Sequence, residues 1–190
     1  MILADQKGLG KRITLINFLN SLKFKHKIGG PFLVITTKEK LSHWRYLFNK
    51  WTELKTLIYH DVDKGATGME NLRKWAVYHV DVTIKGRMTT RNKLHKFDVL
   101  LTLAEHIEND SDQFLHKVPF VQVIVDNAEI KEQREATKLI ACKRIICSTS
   151  NPMQRKVGDL ADLVRCVNPK AMDKLVNPPE RVFGDIASLG

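Results

Sequence analysis

The residues best suited to chemistry lie in a glycine-rich segment near the start of the chain. It follows the apolar triplet Ile2-Leu3-Ala4 and reads Asp-Gln-Lys-Gly-Leu-Gly-Lys-Arg over residues 5–12. Gly8 and Gly10 let the backbone approach a phosphate closely, and a helix that follows would point its amide groups and positive dipole end at the anion. Lys11 would reach the terminal phosphates. The segment therefore predicts a nucleotide phosphate site.

One position of this segment departs from the usual phosphate-binding loop. In that loop a Ser or Thr follows the lysine, and its hydroxyl group binds Mg²⁺. Here the position is Arg12. The hydroxyl ligand is therefore lost, and a cation stands where a cation should bind.

A second candidate site follows the continuous apolar run Phe120–Val125. Asp126 comes directly after it, and an acidic residue at the end of a hydrophobic strand is the usual magnesium ligand of a nucleotide hydrolase. Asp126 is therefore the predicted catalytic and metal-binding residue. The next residue, where a hydrolase carries its activating carboxylate, is Asn127, whose amide cannot accept a proton from an attacking water. Considered without Lys11, Asp126 is better explained as a helix N-cap, since Asp residues at strand ends are frequent.

Both segments lie where strands are predicted to end. Apolar runs predict six strands: Ile2-Leu3-Ala4, Phe32–Ile35, Leu57-Ile58-Tyr59, Phe97–Leu101, Phe120–Val125 and Arg144–Cys147. Helical spacing predicts helices around 13–22, Leu41–Trp51, Leu72–Val80, Glu132–Ile140 and Val157–Val167, and a short helix after Leu101. Alternating strands and helices predict a parallel sheet covered by helices on both faces, with ligands at the carboxyl ends of its strands.

Composition and charge narrow the class of protein. The chain has 190 residues, 43% of them hydrophobic, and carries a net charge of +10, which is typical of one globular domain. Residues 1–95 hold 18 basic and 7 acidic side chains, a net charge of +11. This asymmetry favours a polyanion partner, with nucleic acid ahead of a membrane, and a solvated basic face is the alternative. The three cysteines have no metal-ligand spacing, so a reduced compartment, cytosol or nucleus, fits best.

Taken together, the motifs resemble the first ATPase lobe of the Swi/Snf-type chromatin remodellers, within the superfamily 2 helicases. That family opens Ile-Leu-Ala-Asp-Glu-Met-Gly-Leu-Gly-Lys-Thr, against residues 2–12 here, and residues 123–129 are similar to its Asp-Glu-Ala-His box. Trp44, Phe48 and Trp51 keep the family's Trp-x-x-x-Phe-x-x-Trp helix, and their helical spacing predicts core residues rather than a platform for stacked bases. Gly-Pro-Phe-Leu at 30–33 and Tyr-His at 59–60 resemble most the chromodomain-helicase-DNA-binding branch, especially its Kismet-like members.

The resemblance implies a RecA-like lobe over residues 1–168, with a loop and helix excursion at 61–96 and a tail at 169–190. It implies ATP and Mg²⁺ as cofactors, DNA or nucleosomes as partners, no membrane, and a nuclear location. It extends the phosphate-binding set to Asp5, Leu9 and Arg12, and it places DNA phosphates near Lys38, Lys40 and Thr102. It also implies an upstream segment that contacts adenine and a second lobe that supplies arginines to the ATP site, neither of which is among these residues.

Three functions stay open at this point. The chain is a lobe of a working remodeller ATPase, a non-catalytic module that binds DNA or protein, or a decaying gene copy with no selected activity. Residues expected to carry packing, namely Phe48, Trp51, Val123 and Ile124, match the family better than those that carry chemistry, which favours the last two. We expect no ATP hydrolysis by this chain alone, because losing an activating carboxylate costs about 10²–10⁴ in rate.

Overall fold

A six-stranded parallel sheet organises the chain. The computed structural model describes residues 1–59, 77–84, 88–95, 97–109, 114–153 and 157–169. Within these ranges the strands are β1 (Ile2–Leu3), β2 (Phe32–Ile35), β3 (Thr56–Ile58), β4 (Val77–Ile84), β5 (Met88–His95), β6 (Val99–Thr102), β7 (Gln122–Asp126) and β8 (Ile145–Ser148). The sheet order is β1-β8-β7-β2-β6-β3, with every pair parallel. This confirms the predicted fold class.

The helices lie between strands along the chain, except the last one, which follows β8. They are α1 (Lys11–Phe24), α2 (Lys38–Trp51), α3 (Ala104–Glu108), α4 (Phe114–Lys117), α5 (Lys131–Glu135) and α6 (Val157–Val167), and a 3₁₀ helix (Ala136–Leu139) follows α5. Among the described residues, none of the helices combines the length and apolar character that crossing a bilayer requires.

The core lies on both faces of the sheet, because alternate residues of a buried strand point in opposite directions. Leu33 and Val123 belong to a cluster that includes residues of α3 and α6. Phe32 and Ile124 point the other way, into a cluster with the buried side chains of α1 and α2. Continuous Val/Ile/Leu runs are therefore required in β2 and β7, and these strands are buried throughout.

The strand predictions hold, with displaced ends. β2 matches its predicted bounds, whereas β6, β7 and β8 each begin one or two residues later and end one residue later than predicted. The ladder explains the displacement for β7, since its pairing with β2 begins at Gln122, opposite Phe32. β7 lies between β8 and β2, in the interior of the sheet. Asp126 is consequently the last residue of its strand rather than the first residue after it.

Three local predictions are corrected. The predicted helix Leu72–Val80 is wrong for residues 77–80, which belong to strand β4. Within the predicted loop and helix excursion at 61–96, β4 and β5 pair as an antiparallel hairpin. Residues 60–76 lie outside the described ranges. Val80, Val82 and Ile84 alternate with polar residues, which is a strand period. The predicted helix Glu132–Ile140 divides into α5 and the 3₁₀ helix, where the Thr137 hydroxyl donates to the carbonyl of Arg134.

The tryptophan at the end of α2 is also corrected. Trp44 and Phe48 are fully buried as predicted, with their rings stacked 5.8 Å apart, but the Trp51 side chain is 55% exposed. Trp51 is the last residue of its helix, and Lys50 Nζ lies 5.7 Å from the centre of its ring. Helical spacing put Trp51 on the buried face but could not show that the helix ends there.

Candidate functional site

A cavity of about 480 Å³ opens at the carboxyl ends of the central strands. Its walls come from the loop after β1, the start of α1, the side of α2, and the ends of β7 and β8. The structure brings together six of the predicted site residues there: Gly8, Gly10, Lys11, Arg12, Lys40 and Asp126. Because the strands are parallel, residues far apart in sequence meet at this one edge.

The glycine-rich loop has the backbone that its sequence requires. Gly8 and Gly10 have φ angles of 94° and 77°, in the left-handed region that side chains disfavour. A Cβ atom at either glycine would meet no heavy atom within 4 Å, so the space beside the loop is open. Gly10 is the N-cap of α1, a helix of 14 residues, and its carbonyl accepts a hydrogen bond from the amide of Thr14. The loop thus presents an open, positively polarised surface to the cavity.

The lysine of the loop is engaged with its own backbone. Lys11 Nζ donates to the carbonyl oxygens of Asp5 at 2.6 Å and Gln6 at 2.8 Å. These bonds are local, and a bound phosphate would replace them with a charge-assisted contact. Asp5 therefore contacts the lysine of the loop through its backbone carbonyl.

The centre of the site is a carboxylate with three donors on one oxygen. Asp126 Oδ2 accepts hydrogen bonds from Arg12 Nε at 3.2 Å, Thr36 Oγ1 at 3.2 Å and Trp44 Nε1 at 2.9 Å. The exposed fractions of the Arg12 and Asp126 side chains are 27% and 8%. The guanidinium also lies over the Trp44 ring, with Cζ 5.9 Å from its centre. Arg12 therefore neutralises this carboxylate from the cavity side.

The residues present do not fit a magnesium ion. Mg²⁺ requires oxygen ligands in a nearly ideal octahedron. Here a guanidinium contacts the one carboxylate that would hold the metal, and the residue that would add a hydroxyl ligand is that same Arg12. Among the described residues, no three His, Cys, Asp or Glu side chains gather in a metal-binding arrangement.

The residue after Asp126 is held on both sides of its amide. Asn127 has a left-handed backbone, with φ of 58°, which asparagine tolerates better than most residues. Its Oδ1 accepts a hydrogen bond from Lys40 Nζ, and its Nδ2 donates to Glu129 Oε1 at 3.0 Å. Glu129 Oε2 is buried without a hydrogen-bond partner among the described residues. Lys40, expected at DNA, thus reaches into the cavity instead.

The other predicted residues lie away from the cavity. Leu9 is 65% exposed at the outer side of the loop. Lys38 is exposed at the first turn of α2. Thr102 is fully buried, and its hydroxyl donates to the carbonyl of Leu103. Because Thr102 has no exposed surface and Lys40 lines the cavity, Lys38 is the one of the three that is placed to meet DNA.

Sequence reasoning missed two residues that hold Asp126. Thr36 follows β2 directly, so the rule used for Asp126, that polar residues after strands form the site, would have found it. Trp44 gave no such signal. Its spacing predicted a core residue, which it is, and spacing does not show where an indole N–H points.

Comparisons with known proteins agree with this fold. A family model described as the SNF2-related domain matches residues 1–181. The chain belongs to this family. It is 32% identical over 173 residues to chromodomain-helicase-DNA-binding protein 8 of Homo sapiens and 31% identical to chromodomain-helicase-DNA-binding protein 6 of that organism. Each match covers 88% of this chain and 6% of the relative, so the chain spans a small part of these SNF2-related proteins.

Solved structures support the same fold. The Sulfolobus solfataricus SWI2/SNF2 ATPase core in complex with dsDNA superposes with a TM-score of 0.66 at 21% identity, covering 99% of this chain and 38% of that chain. The Sulfolobus solfataricus SWI2/SNF2 ATPase core domain gives a TM-score of 0.63 at 24% identity, covering 89% of this chain and 30% of that chain. These likenesses show the same RecA-like fold.

Proposed function

We propose that this SNF2-related lobe binds nucleotide phosphates without magnesium and does not hydrolyse ATP, and that it binds DNA through phosphate contacts in the nucleus. The observation that carries the first part is the contact between Arg12 Nε and Asp126 Oδ2 at 3.2 Å. It replaces the metal by a fixed cation belonging to the protein.

Phosphate binding is supported by the charges around the cavity. Lys7, Lys11, Arg12 and Lys40 line it, against Asp126 and Glu129. Arg12 pairs with Asp126 through its Nε atom, and guanidinium is a planar group with five donors. The donors at the end of the group suit a phosphate oxygen. The open space beside Gly8 and Gly10 and the start of α1 add backbone donors on the same side.

Loss of hydrolysis is supported by the surroundings of Asn127. An amide cannot take a proton from water, and this amide is already bonded to Lys40 and Glu129. Glu129 is the carboxylate beside it, but its Oε1 accepts from Asn127 and its Oε2 is buried. We also propose that hydrolysis in this family requires a second lobe, which supplies arginines to the ATP site. Without it the charge that develops on the phosphates is poorly stabilised.

The hydrolysis part is tested by phosphate release from the unmodified chain with ATP, Mg²⁺ and duplex DNA. We expect release at the level of a protein-free control. Release that DNA stimulates several-fold would contradict the proposal, because it would require an activating group that Asn127 cannot supply.

DNA binding is supported by charge and by the position of Lys38. The net charge of +11 lies on residues 1–95, and Lys38 is exposed just after the carboxyl end of β2. The SWI2/SNF2 core of the same fold was solved with dsDNA, and the two chromodomain relatives are DNA-binding by name. Backbone binding of this kind is independent of sequence and weakens with salt.

A matched pair of lysines tests this part. Lys38→Gln removes a charge at the carboxyl edge of the sheet, whereas Lys143→Gln removes an exposed charge before β8, at the opposite edge. With labelled duplex at several salt concentrations, we expect Lys38→Gln to reduce the slope of log affinity against log salt by about 1. Lys143→Gln should leave it unchanged. Equal slopes for all three proteins would remove Lys38 from the interface, and an affinity insensitive to salt would remove the electrostatic argument altogether.

A further inference from the structure

Two cysteines meet where α6 packs against the sheet. Cys147 lies in β8 and is buried, and Cys166 lies in the last turn of α6 and is partly buried. Their Sγ atoms are 3.6 Å apart, with the Cys147 thiol donating to Cys166. Cys142, also partly buried, lies before β8, and its thiol donates to the carbonyl of Arg144 at 3.4 Å. The chain thus offers one thiol pair and one separate thiol of similar exposure.

The surroundings of the pair make its two members unequal. The hydrogen bond from Cys147 is the main cause that lowers the pKa of Cys166 to about 7, and the Thr137 hydroxyl, 3.5 Å from its Sγ, and the charge of Arg134 add to it. Burial and the charge of Glu135 oppose the shift. The same hydrogen bond, together with burial, raises the pKa of Cys147. Cys166 is therefore the member of the pair that loses its proton more readily, while Cys147 stays protonated.

We propose that Cys166 and Cys147 form a peroxide-sensitive pair in which Cys166 attacks the oxidant and Cys147 then closes a disulfide. In the first step the Cys166 thiolate attacks one oxygen of hydrogen peroxide; an S–O bond forms, the O–O bond breaks, and hydroxide leaves. In the second, Cys147 sulfur attacks the sulfenic acid; the S–S bond forms, the S–O bond breaks, and the Cys147 proton leaves with the hydroxyl group as water. Two thiol sulfurs are oxidised and one peroxide is reduced.

The geometry needs only a small adjustment. A disulfide bond is about 2.05 Å long, so the two sulfur atoms must approach each other by roughly 1.5 Å. That displacement is on the scale of side-chain rotation. Cys142 has no such thiol neighbour in the described part of the chain, since its hydrogen bonds are with the backbone of Arg144. Intramolecular oxidation should therefore select the pair.

Closure would tie α6 to a strand that leads into the nucleotide cavity. Cys147 is followed by Ser148, which pairs in register with Asp126 and lines the cavity. The oxidised chain would hold this helix on β8 by a covalent bond. The proposed oxidation of the pair does not depend on whether nucleotide binds. Its residues lie on β8 and α6, and the residues that affect them lie on α5 and the 3₁₀ helix.

The test uses the full chain treated with dilute hydrogen peroxide, quenched, and analysed by intact mass and non-reducing peptide mapping. We expect a loss of about 2 Da, a peptide that links Cys147 to Cys166, free Cys142, and full reversal by dithiothreitol. Cys147→Ser should accumulate the sulfenic acid at Cys166, trapped as a dimedone adduct. Cys142→Ser should behave as the unmodified chain.

Two outcomes would overturn the proposal. One is a dominant disulfide that includes Cys142, within or between chains. The other outcome is measured on the unmodified chain, so it does not depend on whether a variant folds. Alkylation at limiting reagent should label Cys166 at least about tenfold faster than Cys142. Equal or reversed rates would show that Cys166 is not activated and would overturn the proposal.

Discussion

Replacement of Arg12 by threonine should make nucleotide binding depend on magnesium. Arg12→Thr removes the guanidinium from Asp126 and returns a hydroxyl group to the position where phosphate loops carry one. The carboxylate keeps its bonds from Thr36 and Trp44, and it becomes free to hold a metal on the cavity side. The variant tests the ion pair on which the proposed function rests.

The size of the effect follows from the interactions of the guanidinium group. Breaking a fully buried ion pair costs about 3–5 kcal/mol, but Arg12 is 27% exposed and Asp126 keeps two donors, so we expect the unfolding free energy to fall by about 1–2 kcal/mol. A hydrogen bond from a charged donor to phosphate is worth about 1.5–3 kcal/mol. Without magnesium, the variant should therefore bind ATP roughly 10- to 150-fold more weakly than the unmodified chain.

Affinity is measured by calorimetry or fluorescence titration, with Mg²⁺ and with a chelator. For the unmodified chain the two affinities should agree within about threefold, whereas Arg12→Thr should gain about tenfold or more from Mg²⁺. Adding Asn127→Glu should leave phosphate release near background, because a single lobe stabilises the charge that develops on the phosphates poorly. Arg165→Thr is the matched control, because it removes an arginine that pairs with Asp162 at 3.2 Å on α6, outside the cavity lining. A tenfold magnesium effect in the unmodified chain, or none in a folded Arg12→Thr, would refute the reasoning.

Three further results are expected. Gly30→Ala should lower the unfolding free energy by about 1–3 kcal/mol, because its Cβ would lie 2.6 Å from a backbone oxygen, while Gly29→Ala, with nothing within 4 Å, should change it by less than about 0.5 kcal/mol in the same urea titration. Trp44→Phe keeps a buried ring but removes the donor to Asp126, so it should cost about 1–2 kcal/mol; no change would show that this bond is unimportant. The alkylation rate of Cys166 should rise with pH through a midpoint at about 7, since the thiolate is the reacting form, and a midpoint near the ordinary value of 9.0 would contradict the assigned environment.

The parallel sheet could be predicted because each strand carries its signal locally. β2 and β7 are continuous apolar runs, and such runs suit strands that are covered on both faces. The hairpin of β4 and β5 was missed because its alternation is short and its residues are polar and basic. The helical spacing that predicts Leu72–Val80 does not hold for residues 77–80, which belong to β4. The exposed position of Trp51 was missed for a related reason, since periodicity describes a helix face but not the residue at which the helix stops contacting the core.

The loop between β1 and α1 could also be predicted, because its glycines and its lysine all lie within residues 8–11. What Arg12 does there could not be. Its partner Asp126 lies 114 residues away, and only the assembled sheet brings the two together. In sequence, the missing hydroxyl group and the missing carboxylate are two separate defects. In the structure Arg12 contacts Asp126, and Lys40 contacts Asn127. Of the two altered positions, residue 12 is therefore itself a cation and residue 127 is bonded to one.

The ion pair between Arg12 and Asp126 helps to distinguish a non-catalytic binding module from a decaying gene copy. A nucleotide site that merely lost its metal would leave a nearly buried carboxylate without a counter-ion, which is costly. Here the carboxylate of Asp126 is only 8% exposed, and it has a guanidinium, a hydroxyl and an indole donor on a single oxygen. The guanidinium in turn lies over the ring of Trp44, a residue that the core needs in any case. Because the same tryptophan supports the fold and the ion pair, the altered site costs the lobe little stability. A lobe built in this way can keep its fold and the proposed phosphate-binding surface without hydrolysing ATP, which favours a non-catalytic binding module over a decaying copy.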